Sequence, residues 1–142
     1  MHRPVSLLFL LTLAIGCATA TSTRPASIPQ PEIDARLVQA LFFGGGTTAP
    51  ATIEVRIANR AKTPIVVRRI AIDSPGMQQY TLDRGSREVQ ETIQPGETKR
   101  VNVFSRATAL QGTTITEPLN IRAVVDFESG SASWREVVML RQ

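Results

Sequence analysis

Apolar and polar residues alternate one by one through most of this chain beyond residue 32. Ile53, Val55 and Ile57 fall on one side, and Glu54 and Arg56 on the other. A period of two is that of a strand with one buried face and one wet face. Leu119, Ile121, Ala123, Val125 and Phe127 repeat the pattern, and Ile33, Ala35 and Leu37 begin it. Residues 33–41 also fit a helical period through Leu37, Ala40 and Leu41, but strand ranks first. Residues 65–72 are rich in β-branched side chains, which suit a pleated surface. Arg68-Arg69 interrupts the alternation there. Val66, Ile70 and Ile72 share a face only if Arg68 joins them, and a bulge at the arginine pair removes the conflict.

Weaker strand patterns cover residues 79–82, 87–93 with Val89 and Ile93, and the stretch around Val101 and Val103. A closing strand spans Trp134 to Leu140. Its register is open: either Trp134, Val138 and Leu140 or Val137 and Met139 point inward. Turn chemistry separates these runs. Gly44-Gly45-Gly46, the polar stretch Asn59–Pro64, Ser74-Pro75-Gly76 and Arg84-Gly85-Ser86 break the chain. Gln94-Pro95-Gly96-Glu97 has proline second and glycine third, as a type II turn requires. Glu128–Ser131 reads as a hairpin loop and residues 106–118 as a longer loop. Seven or eight short strands with turns every eight to twelve residues predict an all-β, antiparallel, immunoglobulin-like β-sandwich over residues 32–142.

The first residues break this pattern. His2 and Arg3 precede an apolar run from Val5 to Ile15, interrupted by Ser6 and Thr12. A membrane-spanning helix needs roughly 20 apolar residues, so the run reads as a secretory signal over residues 1–16. It ends in Leu13-Ala14-Ile15-Gly16-Cys17, which resembles the lipobox of bacterial lipoproteins. That family usually carries leucine where Ala14 stands. The resemblance implies cleavage between Gly16 and Cys17, a diacylglyceryl thioether on Cys17 and acylation of its new amino group. Ala18 stands where an aspartate would imply retention at the inner membrane. An outer-membrane address facing the periplasm is therefore expected. The competing reading is an ordinary secretory signal with an incidental cysteine. Cys17 is the only cysteine, and a lone thiol in an exported chain has no internal disulfide partner. Residues 18–31 are mostly small, hydroxylic or proline and read, with Cys17, as a flexible tether. Random-coil scaling gives it a span of roughly 20 Å.

The remaining composition narrows the chemistry. The formal net charge is +4, well short of a nucleic-acid-binding signature. His2 is the only histidine and leaves with the signal. The mature chain then lacks the histidine and free thiol that nucleophilic triads use. Zinc and copper sites are unexpected for the same reason, and no cofactor or small-molecule substrate is indicated. Glu88 and Glu91 lie three apart, on opposite faces of a strand. Asp126 and Glu128 can share a face near a hairpin end, as solvated turn carboxylates or as a calcium or acid–base pair; the first ranks higher. Gly44-Gly45-Gly46 lacks the lysine and helix of a phosphate loop. Arg56, Arg60, Lys62, Arg68 and Arg69 would form a basic face for an anionic contact if their two strands pair. The alternative is a solvated edge that discourages aggregation. Trp134 ranks as a core residue above a ligand platform.

The segments Ile53–Asn59, Thr63–Val67 and Ile93–Thr98 resemble immunoglobulin-like envelope modules. They are also similar to bacterial lipoproteins of the LEA-2 (water-stress) type, although Asn59-Arg60-Ala61 stands where that pattern has Asn-Pro-Asn. The expected function is a membrane-anchored, non-enzymatic interaction or structural module of the cell envelope. Its loops or a strand edge would meet another envelope protein. The second expectation, implied by the LEA-2 resemblance, is a stress-protective or lipid-surface protein.

Overall fold

The computed structural model describes residues 23–75, 79–109 and 119–141. The alternating segments form eight strands: β1 (Glu32–Leu37), β2 (Thr48–Ala58), β3 (Ile65–Asp73), β4 (Tyr80–Leu82), β5 (Gly85–Ile93), β6 (Thr98–Ala109), β7 (Asn120–Ser129) and β8 (Ala132–Arg141). They make two four-stranded sheets in the orders β1-β2-β6-β4 and β5-β3-β7-β8. All neighbours are antiparallel. Immunoglobulin sandwiches place strands A, B, E and D in one sheet and C, F and G in the other. Here β1, β2 and β6 take the A, B and E places, while β3, β7 and β8 take C, F and G. The three-residue β4 borders β6 as D does, and β5 lies beside β3. The protein is an immunoglobulin-like β-sandwich.

The inward residues of both sheets form one core. Ile53, Val55 and Ile57 of β2 meet Ile65, Val67, Ile70 and Ile72 of β3, Val103 of β6, and Ile121, Val125 and Phe127 of β7. The bulge expected at the arginine pair is present: the pairing of β3 with both β5 and β7 shifts between Val67 and Arg69. The extra residue lets Val67 and Ile70 both enter the core. Gly96 adopts φ +77°, and the Glu97 N–H donates to the Gln94 carbonyl at 2.9 Å. Both belong to the expected type II turn. In the hairpin between β7 and β8, Ser129 pairs with Ala132 and Gly130 has φ +58°. Glycine at the first central position matches a type II′ turn, whose twist suits the flanking strands.

Several boundaries differ from the sequence reading. β2 begins at Thr48, five residues before the clean alternation that starts at Ile53. Proline cannot donate to a ladder, and Pro50 is tolerated because β1 pairs only with Ile53–Ala58. β6 continues through Ala109, so residues 106–109 are strand; 110–118 lie outside the described residues. Gly85 starts β5 hard against β6, where an added Cβ would stand 2.5 Å from the Phe104 carbonyl oxygen. In β8, Trp134 is buried and Val138 and Leu140 pack against the core, while Val137 and Met139 point outward. This settles its register.

The signal segment and Cys17 lie outside the described residues, as do residues 18–22 of the expected tether. Residues 24–31 lie against the sandwich. Arg24 Nε donates to Glu136 Oε1 at 3.0 Å, and Gln30 Nε2 donates to the other carboxylate oxygen at 3.3 Å. Ile28 packs against the core and Pro31 is buried. The attachment to the body thus begins eight residues before β1, at Arg24.

Candidate interaction surface

Charged side chains on the outer face of the β5-β3-β7-β8 sheet neutralise one another in rows across the strands. Asp73 lies opposite Arg122, and Arg122 Nε donates to Asp73 Oδ1 at 2.7 Å. Asp126 lies between Arg69 and Arg135 and accepts from Arg69 Nε at 3.1 Å and from Arg135 Nε at 2.6 Å. Arg68 Nε donates to Glu128 at 2.6 Å, and Arg68 also donates to Gln90. Opposite charges at directly opposed positions are the sheet's own stabilising unit. Partial burial pushes the Asp126 carboxyl up. The hydrogen bonds and charges of Arg135 and Arg69 outweigh it and hold the group below its ordinary value.

A lowered folded-state pKa has a definite sign in stability. The Asp126 contribution is complete above the unfolded value of about 3.9 and is lost as pH falls through the lower folded value. Glu32, held down by Arg60, and Glu97, held down by the Gln94 N–H and Lys99, act in the same direction. Thermal unfolding should therefore shift to lower temperature on acidification below about pH 4. Asp126→Asn should show a shallower acid loss than the parent chain. Equal acid slopes would contradict this assignment.

The five basic residues expected to share a face are divided between the sheets. β2 and β3 do not pair, because β2 lies between β1 and β6 and β3 between β5 and β7. Arg56 is exposed on β2, near Glu32 and Asp34. Arg60 Nε donates to Glu32 at 3.0 Å. Lys62 is exposed in the loop between β2 and β3. Arg68 and Arg69 lie on the other sheet, engaged by Glu128 and Asp126. The single anionic-contact face is not formed, since strand pairing across the sandwich, not sequence proximity, decides which side chains meet. Asp126 and Glu128 do share a face, each held by arginine. Among the described residues, no group of three or more His, Cys, Asp or Glu side chains could hold a metal ion.

The four sheet borders differ in how they are protected. Unpaired edge N–H and C=O groups invite another strand, and proteins blunt them with charges, short strands or bulges. β1 is short and turns Glu32, Asp34 and Arg36 to solvent. β4 has three residues, and beyond it the Asn102 carbonyl on β6 accepts from Arg87. β5 carries Arg87, Glu88 and Glu91, and Gln90 kinks it at φ +56°. β8 carries Arg135, Glu136 and Arg141 but is neither short nor interrupted by a bulge. It runs ten residues in unbroken register with β7 and exposes Val137 and Met139, each 56% accessible. Among the described residues, no backbone hydrogen bond reaches its outer side. Arg24 and Gln30 meet β8 through the Glu136 carboxylate.

The outward Val137–Met139 pair was legible only as one of two registers, because both sets of residues are apolar. Arg24 and Glu136 gave no sequence signal, being 112 residues apart. Phe42 is 83% exposed in the loop between β1 and β2, while Leu41 and Phe43 beside it pack against the core. Single exposed aromatics of this kind are ordinary on protein surfaces.

No family model and no curated protein matches the sequence. Solved structures do resemble the fold. A Northeast Structural Genomics Consortium target, SoR45, superposes with a TM-score of 0.52 at 10% identity, covering 79% of this chain and 83% of the other. The GAE domain of yeast GGA1 gives 0.49 at 11% identity, with coverage of 85% and 96%. A protein from Archaeoglobus fulgidus gives 0.45 at 13%, with 78% and 92%. At these identities the likeness to SoR45 concerns the fold alone, and the two lower-scoring structures carry no argument.

Proposed function

We propose that this protein is a lipid-anchored, non-enzymatic module of the cell envelope that engages a protein partner through the β8 edge. The observation that carries the reading is the contrast among the sheet borders: β1 and β4 are short and β5 is kinked at Gln90, while β8 is a long border in unbroken register. The anchor rests on the resemblance of Leu13–Cys17 to a lipobox. The reading as a non-enzyme rests on the absence of histidine and free thiol from the lipidated chain. It gains support from carboxylates on the sheet face that are occupied by arginine.

A lipid on Cys17 would tether the body close to the membrane. Seven residue steps separate Cys17 from Arg24, a reach of at most about 25 Å when fully extended. Arg24 is held by Glu136 of β8, so the chain leaves the body beside the β8 border. The edge offered to a partner then stays within that reach of the outer-membrane surface. One acyl chain binds a bilayer only marginally, and two or three hold it stably.

Replacing Cys17 with serine tests the anchor. The variant should lose labelling by radioactive palmitate and move from the membrane to the soluble fraction. Retained labelling would overturn the reading. A LEA-2-like protective role would instead give an osmotic or desiccation phenotype on deletion, with no stoichiometric protein partner.

A further inference from the structure

We infer that the β8 border is closed by β8 of a second copy of this chain, running antiparallel about a two-fold axis through Val137. The inference deepens the proposed interaction role and rests on it for the free edge; it names the occupant.

Register selects this arrangement. Strands joined into a continuous sheet keep like faces together, so outward residues must oppose outward residues. For two identical antiparallel strands, this restricts the two-fold axis to passing through a residue. An axis at Arg135 sets Arg135 against its own copy. An axis at Glu136 does the same with Glu136. An axis at Val138 sets Arg135 against Arg141. Like charges directly opposed are destabilising. Axes at Trp134 or Met139 pair only Ala132–Glu136 or Val137–Arg141 and leave the rest of the strand open.

The axis at Val137 has neither defect. It pairs Ser133–Arg141 end to end and sets Val137 against Val137, Arg135 against Met139 and Ser133 against Arg141. On the inner face, Trp134 opposes Leu140 and Glu136 opposes Val138. No like charges meet in this register, and Arg135 keeps Asp126 while Glu136 keeps Arg24. The exposed side chains also become covered. Val137 lies opposite half-buried Val124 on β7. The joint therefore makes an apolar row Val124–Val137–Val137–Val124 across two copies, flanked by the two Met139 side chains.

Pairing of one strand makes a small interface, below the roughly 1,000 Å² typical of stable complexes. Confinement of both copies to one membrane raises their effective concentration and favours such a contact. The short reach from Cys17 to Arg24 keeps both β8 borders in the same layer above the lipid.

Disulfide trapping in intact membranes tests the pairing in the full chain. Val137→Cys should give a dimer on mild oxidation, since the two sulfurs meet at the axis. Arg135→Cys should give about tenfold less, because four residues of offset separate the copies by roughly 13 Å, beyond disulfide reach. The double variant Arg135→Cys/Met139→Cys should recover the dimer. Val137 is exposed, so these changes spare the core. Equal trapping at all positions, or none at Val137, would overturn the inference. A benzoylphenylalanine at Val137 that photocrosslinks to a protein of another mass would also overturn self-pairing, while leaving the proposed interaction role standing. The parent chain oxidised alongside reads the anchor separately: a dimer through Cys17 would reveal an unmodified thiol.

Discussion

Asn59→Ala is expected to lower the free energy of unfolding by about 3 kcal/mol, at the upper end of the cost of unsatisfied buried polar groups. Asn59 is 1% exposed and is the one buried polar residue among those described. Its side chain uses most of its capacity. Nδ2 donates to the Thr63 carbonyl at 2.8 Å and to the Ile93 carbonyl at 3.0 Å, and Oδ1 accepts from the Ala61 N–H at 2.8 Å. Its backbone joins the same knot: the Asn59 N–H donates to the Glu97 carbonyl, and the Gly96 N–H donates to the Asn59 carbonyl. The side-chain amide thus ties the β2–β3 loop to the end of β5, and the Asn59 backbone adds the type II turn. Alanine leaves two carbonyls and one N–H without their partner. Asn59→Asp should cost at least as much, because a carboxylate cannot donate to either carbonyl. Urea unfolding of the three chains checks this. Alanine within 0.5 kcal/mol of the parent, the range of ordinary surface changes, would show that the knot is not structural.

Trp134→Ala should cost about 3–5 kcal/mol, the range for deleting a large buried aromatic. Trp134 is buried on the inner face of β8 and lies directly opposite Phe127 on β7. The two rings stack with centroids 5.4 Å apart and planes 20° apart. Such contact adds to area burial by about 0.5–1.5 kcal/mol. The indole N–H has no acceptor among the described residues, so its polar end adds nothing to offset. Trp134→Phe, which keeps a ring on Phe127 and removes that N–H, should therefore lose far less than alanine. If the two variants were equally destabilised, the N–H rather than the ring stack would be the important group.

Local chemistry was legible along the chain because it is written in neighbouring residues. The clean alternation of 53–57 and 119–127 became β2 and β7, the Arg68-Arg69 interruption became a bulge, and Pro95-Gly96 became the expected turn. Features that depend on partners across space were not legible. The arginines of β2 and β3 were expected together because they are near in sequence, but sandwich topology sends consecutive strands to different sheets. The extension of β2 back through Pro50 depends on β1, which pairs only from Ile53 onward. The end of the expected tether reads as too polar and proline-rich to fold alone. It docks because Glu136, from the opposite end of the chain, supplies a charge for Arg24. The free border of β8 became visible only once its register and the guarding of the other edges were known.

The proposed role depends on a lipidated Cys17 that holds the sandwich at a membrane. Mass spectrometry of the amino-terminal peptide from membrane-extracted native protein tests it most directly. The account predicts a peptide beginning at Cys17 and carrying a diacylglyceryl group, with a further acyl chain on its amino group. A peptide that retains residues before Cys17, or one that begins there with a free sulfhydryl, would contradict it.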